Sequence, residues 1–169
     1  MVAERFVCAM VVLVGVLPAK AAAQERSRPV AELSVGWLGF PDDGGTVSEG
    51  MFGGAVRLYL SPRLSVGPEA IWVNGRDHSH FVLTGNVIFD VLGPTSGKPR
   101  SVTPFLLAGG GMFQTRETFL RGDYTSTEGA FTAGGGVRVR ATDRVTFGIE
   151  SRIGWELHLR VNGFVGVQF

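Results

Sequence analysis

Lysine is almost missing from this chain: Lys20 lies near the amino terminus, and Lys98 is the only one beyond it. A water-soluble β-protein covers its outside with charges of both signs, lysine prominent among them. That coat is lacking here. Cysteine is represented by Cys8 alone, which excludes a disulfide framework and, once the segment carrying it is removed, a thiol nucleophile. No apolar run reaches the roughly 20 residues that a spanning helix needs. The longest, residues 6–19, is broken by Gly15 and Pro18. No stretch repeats with the period of a long amphipathic helix. Charge runs and basic patches are missing too, so nothing suggests nucleic acid. The clusters Gly109-Gly-Gly111 and Gly134-Gly-Gly136 neither lead into a helix nor carry a phosphate-loop lysine, so no nucleotide site, cofactor or metal is expected.

What is present begins with Arg5, the apolar run, Lys20 and the small residues Ala21-Ala22-Ala23. This order matches a cleavable secretory signal over 1–23, cut after Ala23. Residues 24–169 then make one domain, in which thirteen arginines and Lys98 balance fourteen acids.

Eight segments of that domain alternate with period two, near 30–40, 51–61, 63–74, 80–91, 102–115, 128–140, 144–156 and 159–169. Turn chemistry separates them, as in Ser61-Pro-Arg63 and Ala141-Thr-Asp-Arg144. An even strand count returns both termini to one side, the periplasmic side in bacterial barrels. Sorted by parity, one face collects residues such as Leu33, Val35, Val56, Leu58, Val87, Phe89, Val137, Ile149, Val165 and Val167 without a charge in the strand centres. The other collects Glu32, Arg57, Glu69, Asp90, Arg138, Arg140, Glu150 and Arg152, four acids and four arginines. A one-residue slip would move every side chain to the opposite face, so this segregation is specified.

Periodicity leaves the inward face open, and energetics decides it. With the apolar face inside, the chain would be a soluble barrel with its charges in water. With that face on lipid, the charges fill a lumen that eight strands make just wide enough for side chains. Arginine on lipid near the midplane costs roughly 2–4 kcal/mol, and balanced acids and bases are what a lumen tolerates. The scarce lysine, the signal and the terminal Phe169 favour lipid. The fold expected is all-β, an eight-stranded antiparallel up-and-down transmembrane β-barrel in the cell outer membrane. Trp37, Trp72 and Trp155 fall toward the external strand ends and Phe89, Phe147 and Phe169 toward the periplasmic ends, as aromatic belts do. Pro68 and Pro104 break the pattern and are expected at bulges or strand ends. The glycine clusters are expected to relieve crowding beside bulky lumen residues or to sharpen curvature. The external connections read as about ten, seven, twelve and three residues long.

The stretches Tyr59-Leu-Ser-Pro-Arg-Leu-Ser-Val-Gly-Pro-Glu69, Thr103-Pro-Phe-Leu-Leu-Ala-Gly-Gly-Gly111 and Gly163-Phe-Val-Gly-Val-Gln-Phe169 resemble the small bacterial outer-membrane β-barrel domain family, that of the OmpA membrane domain and OmpX. The resemblance covers nearly all of residues 24–169. It implies periplasmic chaperones, insertion by the barrel-assembly machinery with Phe169 as the assembly signal, and outer-membrane lipid as surroundings. Members serve as structural elements, adhesins, narrow channels or enzymes, and fold does not choose among these.

Asp77-His78-Ser79-His80 offers a base and a hydroxyl, with Glu156 or His158 near the same end, yet lipid A deacylases place their His and Ser on a late strand. A solvated loop explains the segment, as turn formation explains Asp42-Asp43 and chance explains Arg121-Gly-Asp123. An eight-stranded lumen leaves no wide pore. The expectation is a monomeric, non-enzymatic outer-membrane protein with a structural or surface-interaction role. A lipid-modifying enzyme of the lipid A deacylase kind, or a narrow channel for small solutes, is the alternative.

Overall fold

Alternating β-branched and aromatic residues build eight strands. The computed structural model describes residues 28–42, 45–75, 78–94, 100–119, 122–154 and 158–169. The expected signal at 1–23 and Asp43, Asp77, Lys98, Arg121, Trp155 and Glu156 lie outside the described residues. The strands are β1 (Val30–Asp42), β2 (Gly45–Tyr59), β3 (Leu64–Asn74), β4 (His78–Asp90), β5 (Val102–Phe119), β6 (Gly122–Arg140), β7 (Val145–Gly154) and β8 (Leu159–Gln168). Each pairs antiparallel with the next, and β8 returns to β1, from Val30↔Gln168 to Gly39↔Leu159, closing the barrel. Closure leaves no open edge along the shared height of the wall, the condition for strands to cross a bilayer. At the seam the Phe169 amide donates to the Pro29 carbonyl at 3.1 Å.

The rim that carries both termini, here the terminal rim, is drawn tight by two turns of one design. Ser61 Oγ accepts from the Leu64 amide at 3.0 Å, and Thr142 Oγ1 accepts from the Val145 amide at 3.0 Å. Backbone bonds Leu60 N to Leu64 O at 2.9 Å and Ala141 N to Val145 O at 3.0 Å repeat the match. In each turn the hydroxyl two places after the last strand residue supplies the acceptor that the tight reversal leaves wanting.

The opposite, hairpin rim departs from expectation. Its connections are 43–44, 75–77, 120–121 and 155–158, the first three shorter than expected, because β1, β2, β4, β5 and β6 run beyond the segments that alternate, whereas β3, β7 and β8 do not. Alternation records which face is buried in apolar surroundings. Pairing continues past that boundary into water, where polar residues serve as well. β5 and β6 thus span 18 and 19 residues, against the ~10 that cross a bilayer. Their hairpin projects past β7, whose Gly154 pairs with Thr132.

The prolines sit differently from one another. Pro104 is near the start of β5, beyond the last β4 pair, Asp90↔Phe105. Pro68 is inside β3 and makes no bulge: the β2–β3 ladder pauses between Ala55↔Glu69 and Leu58↔Val66 and resumes in the same register. A two-residue gap in one ladder accommodates the missing donor without shifting any face.

Candidate functional site

Side-chain direction follows from that register. Leu33 (75% exposed), Val35, Ile149 and Ile153 belong to an apolar outer surface to which all eight strands contribute. Phe52, Trp72 and Phe81 form one aromatic row across β2, β3 and β4 toward the hairpin rim, with ring centroids 5.6 and 5.1 Å apart. Phe89, Phe147 and Phe169 are exposed toward the terminal rim, and Trp37 is half-buried.

The lumen holds the charges. Glu69 of β3 is the hub: Arg152 of β7 donates Nη1 to Oε2 at 2.7 Å and Nη2 to Oε1 at 3.1 Å. Arg160 of β8 donates Nη2 to Glu69 Oε1 at 3.0 Å and to Glu150 Oε1 at 2.9 Å. Arg152 also meets Glu150, Nη2 to Oε1 at 2.6 Å. Asn86 and Thr84 of β4 complete the Glu69 carboxylate at 3.2 and 3.4 Å. Two acids and two arginines therefore cancel on a bridge that crosses the bore from β3 to β7 and β8, every member buried. Such burial is tolerable because partners neutralise each charge and hydrogen bonds occupy the carboxylates.

Two further pairs stand nearer the terminal rim. Arg57 Nη2 meets Glu32 Oε2 at 2.6 Å, and Arg138 Nη1 meets Asp90 Oδ1 at 3.2 Å and the Tyr59 hydroxyl at 3.3 Å. Both guanidinium groups lie over the Phe105 ring, Arg138 Cζ at 4.9 Å and Arg57 Cζ at 6.0 Å from its centre. Stacking on an aromatic face suits a guanidinium withdrawn from water.

Of the eight charges read from sequence, the structure buries seven in these pairs. Arg140 instead ends β6 half-buried at the terminal rim and joins none of the described pairs. Its place is taken by Arg160, which sequence reasoning missed although it shares the inward parity of Asn162 on β8. Glu49, also buried, was missed because β2 begins six residues before its alternation becomes apolar.

The lumen is also more apolar than expected. Leu38, Met51, Ile71 and Val73 form one buried cluster on the hairpin side of Glu69. Ile88, Phe105, Leu107 and Phe164 form another on the terminal side. Phe105 and Phe164 fit because their cross-strand partners are Gly136 and Gly148. A Cβ at Gly136 would come within 2.8 Å of the Phe105 ring, and one at Gly148 would overlap the Phe164 ring. Each glycine is thus the recess for an aromatic; for Gly136 this is the relief of crowding expected of its cluster, while Gly148 lies outside the clusters singled out from sequence.

At the outer mouth His80 Nδ1 is 3.0 Å from Thr115 Oγ1, and Nε2 is 3.8 Å from Glu49 Oε2. His158 stacks beyond Phe113, centroids 6.3 Å apart. Ser79 and His80 are successive residues of β4, so their side chains leave opposite faces and do not assemble as nucleophile and base. Among the described residues no group of three His, Cys, Asp or Glu side chains is placed to hold a metal.

An apolar exterior on a closed eight-stranded cylinder with a charge-paired interior defines an integral outer-membrane β-barrel protein. The chain belongs to the outer membrane protein β-barrel domain family, whose model matches residues 9–166. No curated protein matches it. Among solved structures it is similar to Neisserial surface protein A, at 13% identity and TM-score 0.71, covering 83% of this chain and 97% of that one. The amino-terminal β-barrel domain of Pseudomonas aeruginosa OprF superposes with TM-score 0.68 at 12% identity, covering 85% and 98% of the two chains. Ail, the attachment invasion locus protein of Yersinia pestis, gives TM-score 0.55 at 11% identity over 83% of this chain and 97% of that one. These likenesses establish the fold, and family and fold together locate the protein in the cell outer membrane.

Proposed function

We propose that this protein is a closed, non-enzymatic, monomeric outer-membrane barrel with a structural or surface-interaction role, delivered by periplasmic chaperones and inserted by the barrel-assembly machinery through Phe169. The observation that carries the reading is the Glu69, Glu150, Arg152 and Arg160 bridge spanning the bore between two apolar clusters. Each layer occupies the cross-section that a solute would need, and opening it would separate buried ion pairs. The surface-interaction part draws support from the β5–β6 hairpin, whose segment 124–128, Tyr-Thr-Ser-Thr-Glu, is polar and lies past the end of β7. Separation of Ser79 from His80 speaks against the deacylase alternative.

Planar-bilayer recording and lipid A mass spectrometry test the reading together. The purified protein is expected to leave conductance at the level of the bare membrane, and its expression is expected to leave lipid A unaltered. Stable unitary conductance would establish the channel instead, and a changed acyl pattern dependent on the protein would establish the enzyme.

A further inference from the structure

The rim that carries the termini has an excess of positive charge. Among the described residues the terminal rim presents Arg28, Arg63, Arg100, Arg140 and Arg144 against Asp143 and the chain-terminal carboxylate. At the hairpin rim Arg116 and Glu128 are the exposed charges whose side chains are described. Since the interior cancels, this excess is a property of the rim.

At one point of the terminal rim the arginines converge. Gly93 lies in the β4–β5 connection, and Arg100 Nε donates to its carbonyl at 2.9 Å. The Arg63 guanidinium, from the β2–β3 turn, lies against the same residue: a Cβ at Gly93 would be 2.8 Å from Nη2. The nearest acid in sequence, Asp90, already holds Arg138, and no carboxylate pairs with Arg63 or Arg100 among the described residues. Two exposed guanidinium groups are thus held beside one backbone residue, with their remaining donors free for an anion. The forked donors of arginine match a phosphate in charge and in geometry.

Depth selects the phosphate. Leu60, Val91, Leu92 and Val102 flank the pair, and each is 42–51% exposed on the outer surface. The arginines therefore stand where the apolar wall ends, at the level of headgroups, with greasy side chains below them for acyl chains. We infer that Arg63 and Arg100, gathered on Gly93, form a binding site for the phosphate of an anionic phospholipid in the periplasmic leaflet. The inference goes beyond the proposed role and survives its failure, because a conducting or catalytic barrel would keep the same rim.

Native mass spectrometry of the full barrel released from vesicles of equimolar phosphatidylcholine and phosphatidylglycerol tests it. The wild type is expected to retain phosphatidylglycerol preferentially. R63Q/R100Q is expected to lose about tenfold of that preference, the equivalent of one charged hydrogen bond, and R116Q at the other rim to lose none. Folding of each variant is checked by its heat-dependent gel migration. Equal retention of the two lipids by the wild type, or unchanged preference in a folded R63Q/R100Q, overturns the inference. So does displacement of the lipid by millimolar inorganic phosphate, which would mark a site for a free anion. Should R63Q/R100Q not fold, the wild-type preference and its loss in high salt decide alone.

Discussion

Replacing Glu69 with glutamine tests whether the lumen bridge is dry. The substitution keeps shape and volume but removes the charge that accepts from Arg152 and Arg160, at 2.7–3.1 Å, and turns an amide donor toward guanidinium donors. Glu150 remains within 2.6 Å of Arg152 and 2.9 Å of Arg160, so one carboxylate must neutralise two buried cations. Breaking a buried pair from one side costs roughly 3–5 kcal/mol. Because Glu150 still compensates in part, the low end applies, about 3 kcal/mol. At a urea dependence of about 2 kcal/mol per molar, the unfolding midpoint in phospholipid vesicles should fall by about 1.5 M, followed through the fluorescence of Trp37, Trp72 and Trp155. Adding Arg152→Met removes the excess cation, and the double variant should recover more than half of the loss, about 2 kcal/mol, so that the two substitutions couple instead of adding. An E69Q midpoint equal to that of the wild type, or a double variant that simply sums two losses, would refute the bridge as a buried, mutually neutralising unit.

Ile149→Arg puts a charge at mid-strand on the lipid face, where Ile149 is 68% exposed. It should destabilise the vesicle-bound barrel by about 2–4 kcal/mol in the same urea titration, and a neutral outcome would place that face in water. Gly136→Val drives a branched side chain against the Phe105 ring and the Ile149 carbonyl. A loss of about 1–3 kcal/mol is expected from overpacking, and F105A/G136V should restore part of it. Phe169→Ala removes a ring that is 68% exposed but leaves the backbone bond to Pro29. The refolded variant should show the heat-dependent gel migration of the wild type, while the fraction assembled in cells falls; unchanged assembly would remove Phe169 as an assembly signal.

The barrel was legible because lipid imposes a stricter alternation than water does. On β7 and β8 Phe147, Ile149, Ile153, Val161, Val165 and Val167 are exposed and apolar, with only Ser151 and Gly163 interrupting the series, so parity gave the strands and their count and energetics the face. Strand ends were not legible for the same reason: outside the bilayer pairing continues while alternation lapses, which hid the first six residues of β2 and much of the β5–β6 hairpin. β5 defeated parity in another way. In Phe105-Leu106-Leu107 the outer position meets lipid and the inner ones meet the apolar cluster around Phe164, so both faces are greasy and alternation vanishes. Arg140 and Arg160 share the inward parity, yet depth separates them: one stands at a rim, the other mid-lumen. Parity gives direction, and only register gives depth.

Depth also explains why the lumen is layered. Even in this lumen the Nε groups of Arg152 and Arg160 have no protein partner among the described residues, and a bore filled with charges alone would leave many more donors to draw in water. Apolar layers above and below Glu69 limit each ionic group to the partners around it and cap the polar layer at both ends. Low local dielectric then strengthens the pairs that do form, while the same dryness makes any single loss expensive. Phe105 and Phe164 are the parts of the seal nearest the terminal rim, and each depends on a glycine across the strand pair. The glycine recesses and the ion bridge are therefore one device: without room for the rings, the pairs would stand in water, where an exposed ion pair contributes at most about 1 kcal/mol.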